Sequence, residues 1–243
     1  MAINVDRVYK TVLLILNKEQ RGYVTPDEFN KIGTQVQLEI FERYFEDLNQ
    51  QLRVPQVDSE YANRQKNIDN NISIFKTIGD STYNAGGYFM PPSDLHRIGT
   101  VIYKDEMEIQ RVQRNELLNI NMSPLTKPTT TYPIYTYEDG STTTLPRIYV
   151  YPKTITTPSD VTISYIRKPA NVVWAYQQLG GGTWTSGPYI YNSATSVQFE
   201  LDDTEQTTVI TNVLLYMGII IKDPQIIQVA AQQAQAQEVN QKS

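Results

Sequence analysis

The sequence contains no cysteine, and His96 is the single histidine among its 243 residues. The lack of cysteine excludes disulfides, thiolate metal ligands and cysteine nucleophiles. Zinc sites need several nitrogen or sulfur ligands, which one histidine cannot supply. A Ser-His-Asp triad would have to use His96, yet the sequence has no Gly-x-Ser-x-Gly motif. We therefore expect no metal, no cofactor and no enzymatic activity.

The sequence also lacks an excess of basic residues and a long apolar run. Its formal net charge is −5, which argues against a reader of nucleic acid, because phosphate binding needs a clustered basic face. The longest apolar stretch, residues 213–221, is interrupted by Tyr216 and Gly218 and is far shorter than the roughly 20 residues that cross a bilayer. Residues 1–10 mix charged and apolar side chains, unlike a signal peptide. We expect a soluble protein made in a cytoplasm, without contact to a membrane.

The N-terminal part of the sequence has the apolar spacing of amphipathic helices. Residues 5–16 place apolar side chains every three or four positions, which predicts a first helix. Thr25 and Glu28 can form the capping box of a second helix. Its apolar spacing continues toward Pro55, which cannot extend a helix. A third helix is predicted over residues 58–75.

The middle of the sequence is rich in Tyr, Thr and Pro and favours strands. Residues 132–137, 147–151 and 161–166 alternate β-branched or aromatic side chains with polar ones. This alternation predicts a small antiparallel sheet. One more strand of the same kind is predicted over residues 196–201.

Two earlier segments have weaker patterns. Ser93 or Asp94 can cap a short helical turn, which Gly99 would end before a strand over residues 100–103. Residues 106–118 fit either a short helix or an irregular pair of strands, and the pattern does not decide between the two.

The C-terminal part returns to helical spacing. Acidic residues at 202–205 suit the positive end of a helix dipole, and Val209, Val213 and Met217 then share one helical face. Residues 225–243 are rich in Gln and Ala and have little apolar surface to bury. They form either a disordered end or a helix that orders when a partner covers it.

These patterns together predict an α+β fold. We expect a helical bundle platform, made of the N- and C-terminal helices in residues 1–89 and 202–243, to carry an inserted antiparallel β-rich module over residues 90–201. Residues 224–243 form a Gln/Ala-rich tail. Such an order suggests a platform that presents an outward module, and this order points to function more clearly than any catalytic motif does.

Several short motifs, in a fixed order along the sequence, resemble those of one family. They are Thr-Pro-Asp-Glu-Phe-Asn at 25–30, Glu-Ile-Phe at 39–41, Tyr-Phe at 44–45, Met-Pro-Pro-Ser-Asp-Leu at 90–95, Arg-Ile-Tyr-Val-Tyr-Pro at 147–152, a strand at 161–169 that ends in Tyr-Ile-Arg-Lys-Pro, and the closing helix. In this order they resemble the head-to-tail connector proteins of tailed bacteriophages. The resemblance is to the adaptor ring proteins below the portal of short-tailed phages, the tail tubular protein A type, and to the ring proteins of crAss-like phages.

The resemblance implies a virion structural protein of the head-tail junction, assembled in the cytoplasm of the bacterial host. Such adaptors form homo-oligomeric rings of about twelve copies, in which each subunit carries two different complementary side surfaces. The ring would bind the portal protein on one face and the next tail or ring protein on the other. DNA would pass through its channel during ejection, and an acidic channel wall would repel the phosphate backbone so that DNA does not stick.

We expect two sets of contacts in such an assembly. The C-terminal segment from about Pro224, with Ile226, Ile227 and Val229, would contact the portal or a neighbouring subunit. The β-rich module offers aromatic side chains for the next contact, since Tyr and Trp combine apolar area with a polar tip. These side chains, several of which also fit a core, are Tyr149, Tyr151, Tyr165 and Trp174.

Two other functions compete with this interpretation. A carbohydrate-binding or fibre-type β protein of the tail would use Trp174, Trp184 and Tyr189, near the glycine-rich segment, as a stacking platform. The high helical content and the lack of a repeated β unit weigh against it. An enzyme comes third, and its activity would depend on His96.

Overall fold

The computed structural model describes residues 2–18, 24–51, 64–138, 146–178, 189–221 and 228–236. The described residues form helices α1 (Val5–Lys18), α2 (Pro26–Gln51), α3 (Arg64–Ser73), α4 (Arg114–Met122) and α5 (Gln206–Ile221). Residues 228–236 are also helical. The strands are β1 (Ala2–Ile3), β2 (Lys76–Asp80), β3 (Thr82–Asn84), β4 (Tyr88–Met90), β5 (Leu95–Tyr103), β6 (Met107–Arg111), β7 (Ile134–Glu138), β8 (Arg147–Tyr151), β9 (Val161–Arg167), β10 (Tyr176–Gln178), β11 (Tyr189–Tyr191) and β12 (Phe199–Asp202).

The chain divides into two compact units. One comprises Met1–Ile74 together with Pro169–Ser243, and we call it the helix-rich unit. The other is Phe75–Lys168, which we call the sheet unit. The sheet unit is continuous in sequence, so the chain leaves the helix-rich unit once and returns to it once.

The sheet unit is built on one eight-stranded sheet with the order β2-β9-β5-β6-β7-β8-β4-β3. Strands β2 and β3 lie at opposite ends of this order, although only Ser81 separates them along the chain. The sheet must therefore curl until it nearly closes on itself. Ser81 fixes this junction, because its backbone N and its hydroxyl both donate to the carbonyl oxygen of Val161, at 3.1 and 2.7 Å.

A contiguous apolar core lies inside the sheet unit. Its most buried members are Phe89, Val101, Ile109, Ile148, Val161 and Ile163. They come from five different strands, so the core exists only once all of these strands have paired. Burial of each such side chain contributes about 1.5–3 kcal/mol to folding.

One strand pair in this sheet is parallel. Gln110 pairs with Ile134 and Arg111 with Tyr135, which joins β6 to β7 in the same direction. A hairpin cannot connect parallel strands, and the crossover between them takes about a dozen residues or more. Residues 112–133 form this crossover and contain α4. The parallel pair is thus the reason why a helix occurs inside the sheet unit.

The weak sequence patterns before this crossover are now resolved. The helical turn predicted after Asp94 is wrong, because residues 95–103 form the single strand β5. Its register with β9 shifts twice, between Leu95 and Arg97 and between Ile98 and Thr100. Each shift breaks the regular alternation of side chains, which hid the strand. For residues 106–118 the sequence left a short helix and an irregular strand pair as alternatives. The structure contains one element of each kind there, the strand β6 followed by the helix α4.

The helix-rich unit confirms two of the predicted helix starts. α1 covers the predicted residues 5–16. At the start of α2, the backbone N of Thr25 donates to a carboxylate oxygen of Glu28 at 2.9 Å, and the backbone N of Glu28 lies 3.4 Å from the Thr25 hydroxyl. This is the predicted capping box. Of the predicted third helix, residues 64–73 are helical as α3, and residues 58–63 lie outside the described part of the chain.

Three polar side chains of α2, those of Asn30, Thr34 and Gln37, hold the extended segment 170–174 against the helix. The amide of Gln37 donates to the carbonyl oxygen of Ala170 at 2.7 Å and accepts from the backbone N of Glu200 at 2.9 Å. The Asn30 side chain accepts from the backbone N of Trp174 at 2.6 Å. Because Gln37 is fully buried, these hydrogen bonds replace those that water would otherwise make.

The predicted fold class is wrong. The chain has a mixed α/β architecture in which the eight-stranded sheet is the dominant element, so it is not a helical bundle platform with a small antiparallel module. The sheet contains a parallel pair, and the helix-rich unit itself contains the strand pairs β1-β12 and β10-β11. The sequence patterns identified only the strands with regular alternation, which led to an underestimate of the sheet.

Candidate assembly surfaces

Several exposed apolar side chains lie on residues 112–133, the crossover between β6 and β7, which we call the α4 arm. Leu118, Met122, Leu125 and Tyr132 expose 66, 83, 96 and 72 % of their surface. Leu118 and Met122 are one turn apart on the same side of α4, and Leu125 follows within the next three residues. Grouped apolar exposure of this kind marks a surface for contact with another molecule.

The base of the α4 arm is fixed to the sheet by polar contacts. An Nη1 atom of Arg114 lies 2.7 and 2.8 Å from the two carboxylate oxygens of Glu138, at the end of β7. The backbone N of Gln113 donates to the Glu116 carboxylate at 3.1 Å, which caps the first turn of α4. Leu117, about 100° around the helix from Leu118, is buried. The arm is therefore a positioned element with one inner and one outer face.

The outer face of α2 in the helix-rich unit is acidic. Glu39, Glu42 and Glu46 recur at spacings of three and four and, together with Arg43, line one shallow groove of about 420 Å³. The Tyr216 hydroxyl donates a hydrogen bond to Glu39. This bond raises the pKa of Tyr216 to about 12, because loss of the phenolic proton would leave two negative groups in contact. We call these three glutamates the α2 acidic face.

An exposed apolar side chain of the helix-rich unit lies on α1. Leu14 is exposed and borders an open groove of about 650 Å³ that Asn4, Arg7 and Thr11 also line. Apart from Leu14, the described residues that line the groove are polar or charged, and they include Asp6 and Lys10. We call it the α1 groove.

The four aromatic residues predicted as contacts occupy different environments. Tyr149 and Tyr151 are half-buried, and the Tyr149 ring packs on Tyr88 at 5.8 Å between centroids. Tyr165 and Trp174 are buried, so they are core residues of the single chain. The structure therefore does not bring the four together on one outer surface.

Hydrogen bonds explain the burial of the last two residues. The Tyr165 hydroxyl donates to Asp94 at 2.8 Å, and burial raises its pKa to about 12. The Trp174 indole N donates to Asp6 at 3.1 Å. Both polar tips are satisfied inside the chain, as buried polar groups require.

The predicted C-terminal contact residues are only partly described. Val229 is exposed in the helical stretch 228–236, next to Ala230, which is buried. Ile226 and Ile227 lie outside the described residues. The exposed Val229 is available for a contact.

An aromatic cluster surrounds Trp174 and bears on the carbohydrate-binding alternative. The Trp174 ring stacks on Tyr176 and Tyr191, with centroids 6.0 and 5.7 Å apart and planes within 30° of parallel. Tyr176 also contacts Tyr189 edge-on at 4.7 Å. Only Tyr176 is exposed among these rings. Trp184 lies outside the described residues.

The single histidine lies at a cleft of the sheet unit between β5 and β6. The cleft has a volume of about 400 Å³ and is lined by His96, Arg97, Glu108, Arg111 and Tyr135, among others. The Nε of Arg97 lies 3.4 Å from the Nε2 of His96. The described lining contains Thr100 but neither serine nor cysteine.

Two further properties concern the described part of the chain. Within it, His, Asp and Glu side chains do not come together in threes as metal ligands. None of its helices is both long and apolar enough to cross a membrane.

Comparison with known proteins identifies no relative of this chain. No protein-family model matches the chain, and none of the curated proteins matches it either.

Proposed function

We propose that the chain is a non-enzymatic subunit of a homo-oligomeric ring in the head-tail connector of a tailed bacteriophage. The ring joins the portal to the tail and encloses the DNA channel. The α4 arm carries this proposal, because its exposed Leu118, Met122 and Leu125 need a covering surface. The order of sequence motifs described above supports the family.

A ring requires two different surfaces on each subunit, since the contact is head-to-tail and closes by rotation. The α4 arm of one copy supplies the first surface in this proposal. The α1 groove of the next copy, with Leu14 on its border, supplies the second. The two surfaces belong to different units of the chain, so they do not compete for the same residues.

The α2 acidic face is the candidate for the channel wall. Glu39, Glu42 and Glu46 would be repeated in every copy of the ring, which places a band of negative charge around the lumen. Such a band repels the phosphate backbone and lets DNA slide without binding. Fully packaged particles with all three residues changed to Lys should eject DNA more slowly, and the effect should shrink at high salt.

The direct test compares two substitutions that add the same charge to the same helix. Leu118→Asp places a carboxylate on the apolar face of α4, and Asn119→Asp places one at the adjacent exposed position. We expect Leu118→Asp to abolish ring formation on the phage's portal protein in electron micrographs, and Asn119→Asp to assemble normally. Assembly by both variants would reject the α4 arm as the contact.

The carbohydrate-binding alternative is favoured by one observation, the exposed ring of Tyr176 beside the stacked Trp174 and Tyr191. A tail lectin would lose glycan binding on Tyr176→Ala and would not bind portal. The connector would bind portal and ignore glycans. A glycan array and a portal-binding assay on the same preparation separate the two functions.

A further inference from the structure

A small cavity lies inside the helix-rich unit where α2, α3 and the start of α5 meet. Its volume is about 120 Å³, well below the roughly 300 Å³ of the smallest pockets for drug-sized ligands. The lining combines apolar and polar side chains: Ile40, Tyr44, Asp47, Ile68, Asn71, Glu205 and Thr208, with Arg43. We call it the Tyr44 cavity.

The Tyr44 hydroxyl is an orphaned polar group in this cavity. Tyr44 exposes only 6 % of its surface. Among the described residues, no hydrogen-bond partner lies within reach of its hydroxyl oxygen. A buried polar group without a partner costs about 1–3 kcal/mol, so the site favours a guest that can bond to this oxygen.

The charges around Tyr44 favour a cationic guest. Glu205 and Asp47 line the cavity, and among the described lining residues Arg43 is the one basic side chain. Burial raises the pKa of the Glu205 carboxyl above its usual range, although Thr208 donates a hydrogen bond to it and Arg43 lies near. The positive charge of Arg43 therefore does not fully compensate the burial of this carboxylate.

The apolar part of the lining defines the rest of the guest. Ile40 and Ile68 are both buried and face the cavity together with the acidic pair. A bare metal ion would gain nothing from these apolar side chains, because metal ions bind oxygen, nitrogen or sulfur ligands. In the described chain, moreover, acidic and histidine side chains do not group in threes as metal ligands. A short aliphatic stem that ends in a charged donor matches both parts of the lining.

We infer that the Tyr44 cavity binds an alkylammonium group, with its head against Tyr44 and Glu205 and its stem along Ile68. An ammonium has three N–H donors, which can reach the phenolic oxygen and the carboxylates at once. The guest is either a free aliphatic amine or the side chain of a lysine from another polypeptide. This site belongs to the single chain and does not depend on ring formation.

The test measures the thermal unfolding midpoint of the full chain against rising n-butylammonium, with sodium replaced to keep the ionic strength fixed. Binding to the folded state raises the midpoint in a saturable way. n-Butanol is the matched neutral control, because it keeps the stem and lacks the charge. We expect n-butylammonium to stabilise the wild type and n-butanol not to do so.

Two substitutions locate the effect in the cavity. Tyr44→Phe keeps the ring and removes the hydroxyl, and we expect it to weaken binding about tenfold. Glu205→Gln keeps the shape and removes the charge, and we expect it to abolish the shift. A shift that sodium or n-butanol reproduces, or one that persists in both variants, would overturn the inference and leave water as the guest.

A second probe distinguishes the two sources of the amine. Nα-acetyl-lysine methylamide presents the same ammonium on a peptide backbone. Equal binding of this probe and of n-butylammonium indicates a lysine side chain, whereas binding of n-butylammonium alone indicates a free amine. The absence of any response to either probe in the folded wild type would contradict the site.

Discussion

Arg114 and Glu138 form a forked ion pair in the sheet unit, with an Nη1 atom of Arg114 within 2.8 Å of both carboxylate oxygens. The pair joins the first residue of α4 to the last residue of β7. Both side chains are partly exposed to water, so the pair contributes at most about 1 kcal/mol to folding. We expect its larger effect to be on the orientation of the α4 arm.

Loss of this pair should impair assembly more than folding. In Arg114→Met we expect the unfolding free energy to change by less than about 1 kcal/mol, because neither residue of the pair belongs to the apolar core of the sheet unit. Ring formation on the portal should fall several-fold, since the arm loses its fixed direction. Lys127→Met is the matched control, as it removes a charge from the same arm without affecting the pair. Equal assembly of both variants would show that the pair does not orient the arm.

The buried amide of Gln37 should be among the most sensitive positions of the helix-rich unit. Gln37→Leu leaves the carbonyl of Ala170 and the backbone N of Glu200 without their partner. We expect a loss of about 1–3 kcal/mol or more in urea unfolding, since each orphaned buried group carries its own penalty. Gln35→Leu, on the exposed side of α2, should cost much less. A similar small loss in both variants would argue against the docking of segment 170–174 on α2.

The closed sheet core predicts a large difference between two isoleucines of the sheet unit. Ile148 is fully buried and pairs with Phe89 and Tyr137 in neighbouring strands. Ile148→Ala should cost about 2–5 kcal/mol, through lost burial and the cavity that remains. Ile78 lies on the edge strand β2 and is 66 % exposed. Ile78→Ala should therefore lower the unfolding free energy by only about 0.5 kcal/mol, as is usual for surface substitutions. Equal losses in urea unfolding would contradict the sheet order.

Two glutamates should affect the pH dependence of stability with opposite signs. Burial raises the pKa of Glu205 above its ordinary value of 4.5. Over the range above 4.5 the folded state then holds a proton that the unfolded chain has lost, so the unfolding free energy falls as pH rises. The backbone N–H and hydroxyl of Thr25 lower the pKa of Glu28. Glu28 therefore contributes to the unfolding free energy at pH values above its ordinary pKa of 4.5. This contribution is lost as pH falls through the lowered pKa.

Urea unfolding at a series of pH values, at fixed ionic strength, measures both effects. Glu205→Gln should remove the decline of stability on the neutral side of pH 4.5. Glu28→Gln should remove part of the loss on the acid side. A decline that persists unchanged in Glu205→Gln would contradict the burial of this carboxyl.

The sequence predicted those elements whose pattern is local. The capping box of Thr25 and Glu28 needs only four consecutive residues, and strand 147–151 alternates regularly, so both were identified. The eight-stranded sheet was missed because its order depends on distant pairing, such as that of β2 with β9. The shifts in β5 and the parallel pair of β6 and β7 also leave no regular alternation to detect.

The candidate surfaces show the same limit. Tyr165 and Trp174 have the residue types of an interface, but their environment depends on hydrogen bonds to Asp94 and Asp6, which are far away in sequence. Leu118 and Met122 were not identified because residues 106–118 fitted both a helix and strands. Once the helix is known, their spacing of four is a usable signal, since it places both on the outer face of α4.

Electron microscopy of assembled particles, or of the purified chain bound to its portal, tests the connector proposal most directly. We expect a ring with rotational symmetry between head and tail, in which the α4 arm of each copy contacts the next copy. A location at fibres or spikes, or a failure to bind portal under any condition, would contradict it. The carbohydrate-binding function, with Tyr176 at its centre, would then be the stronger explanation.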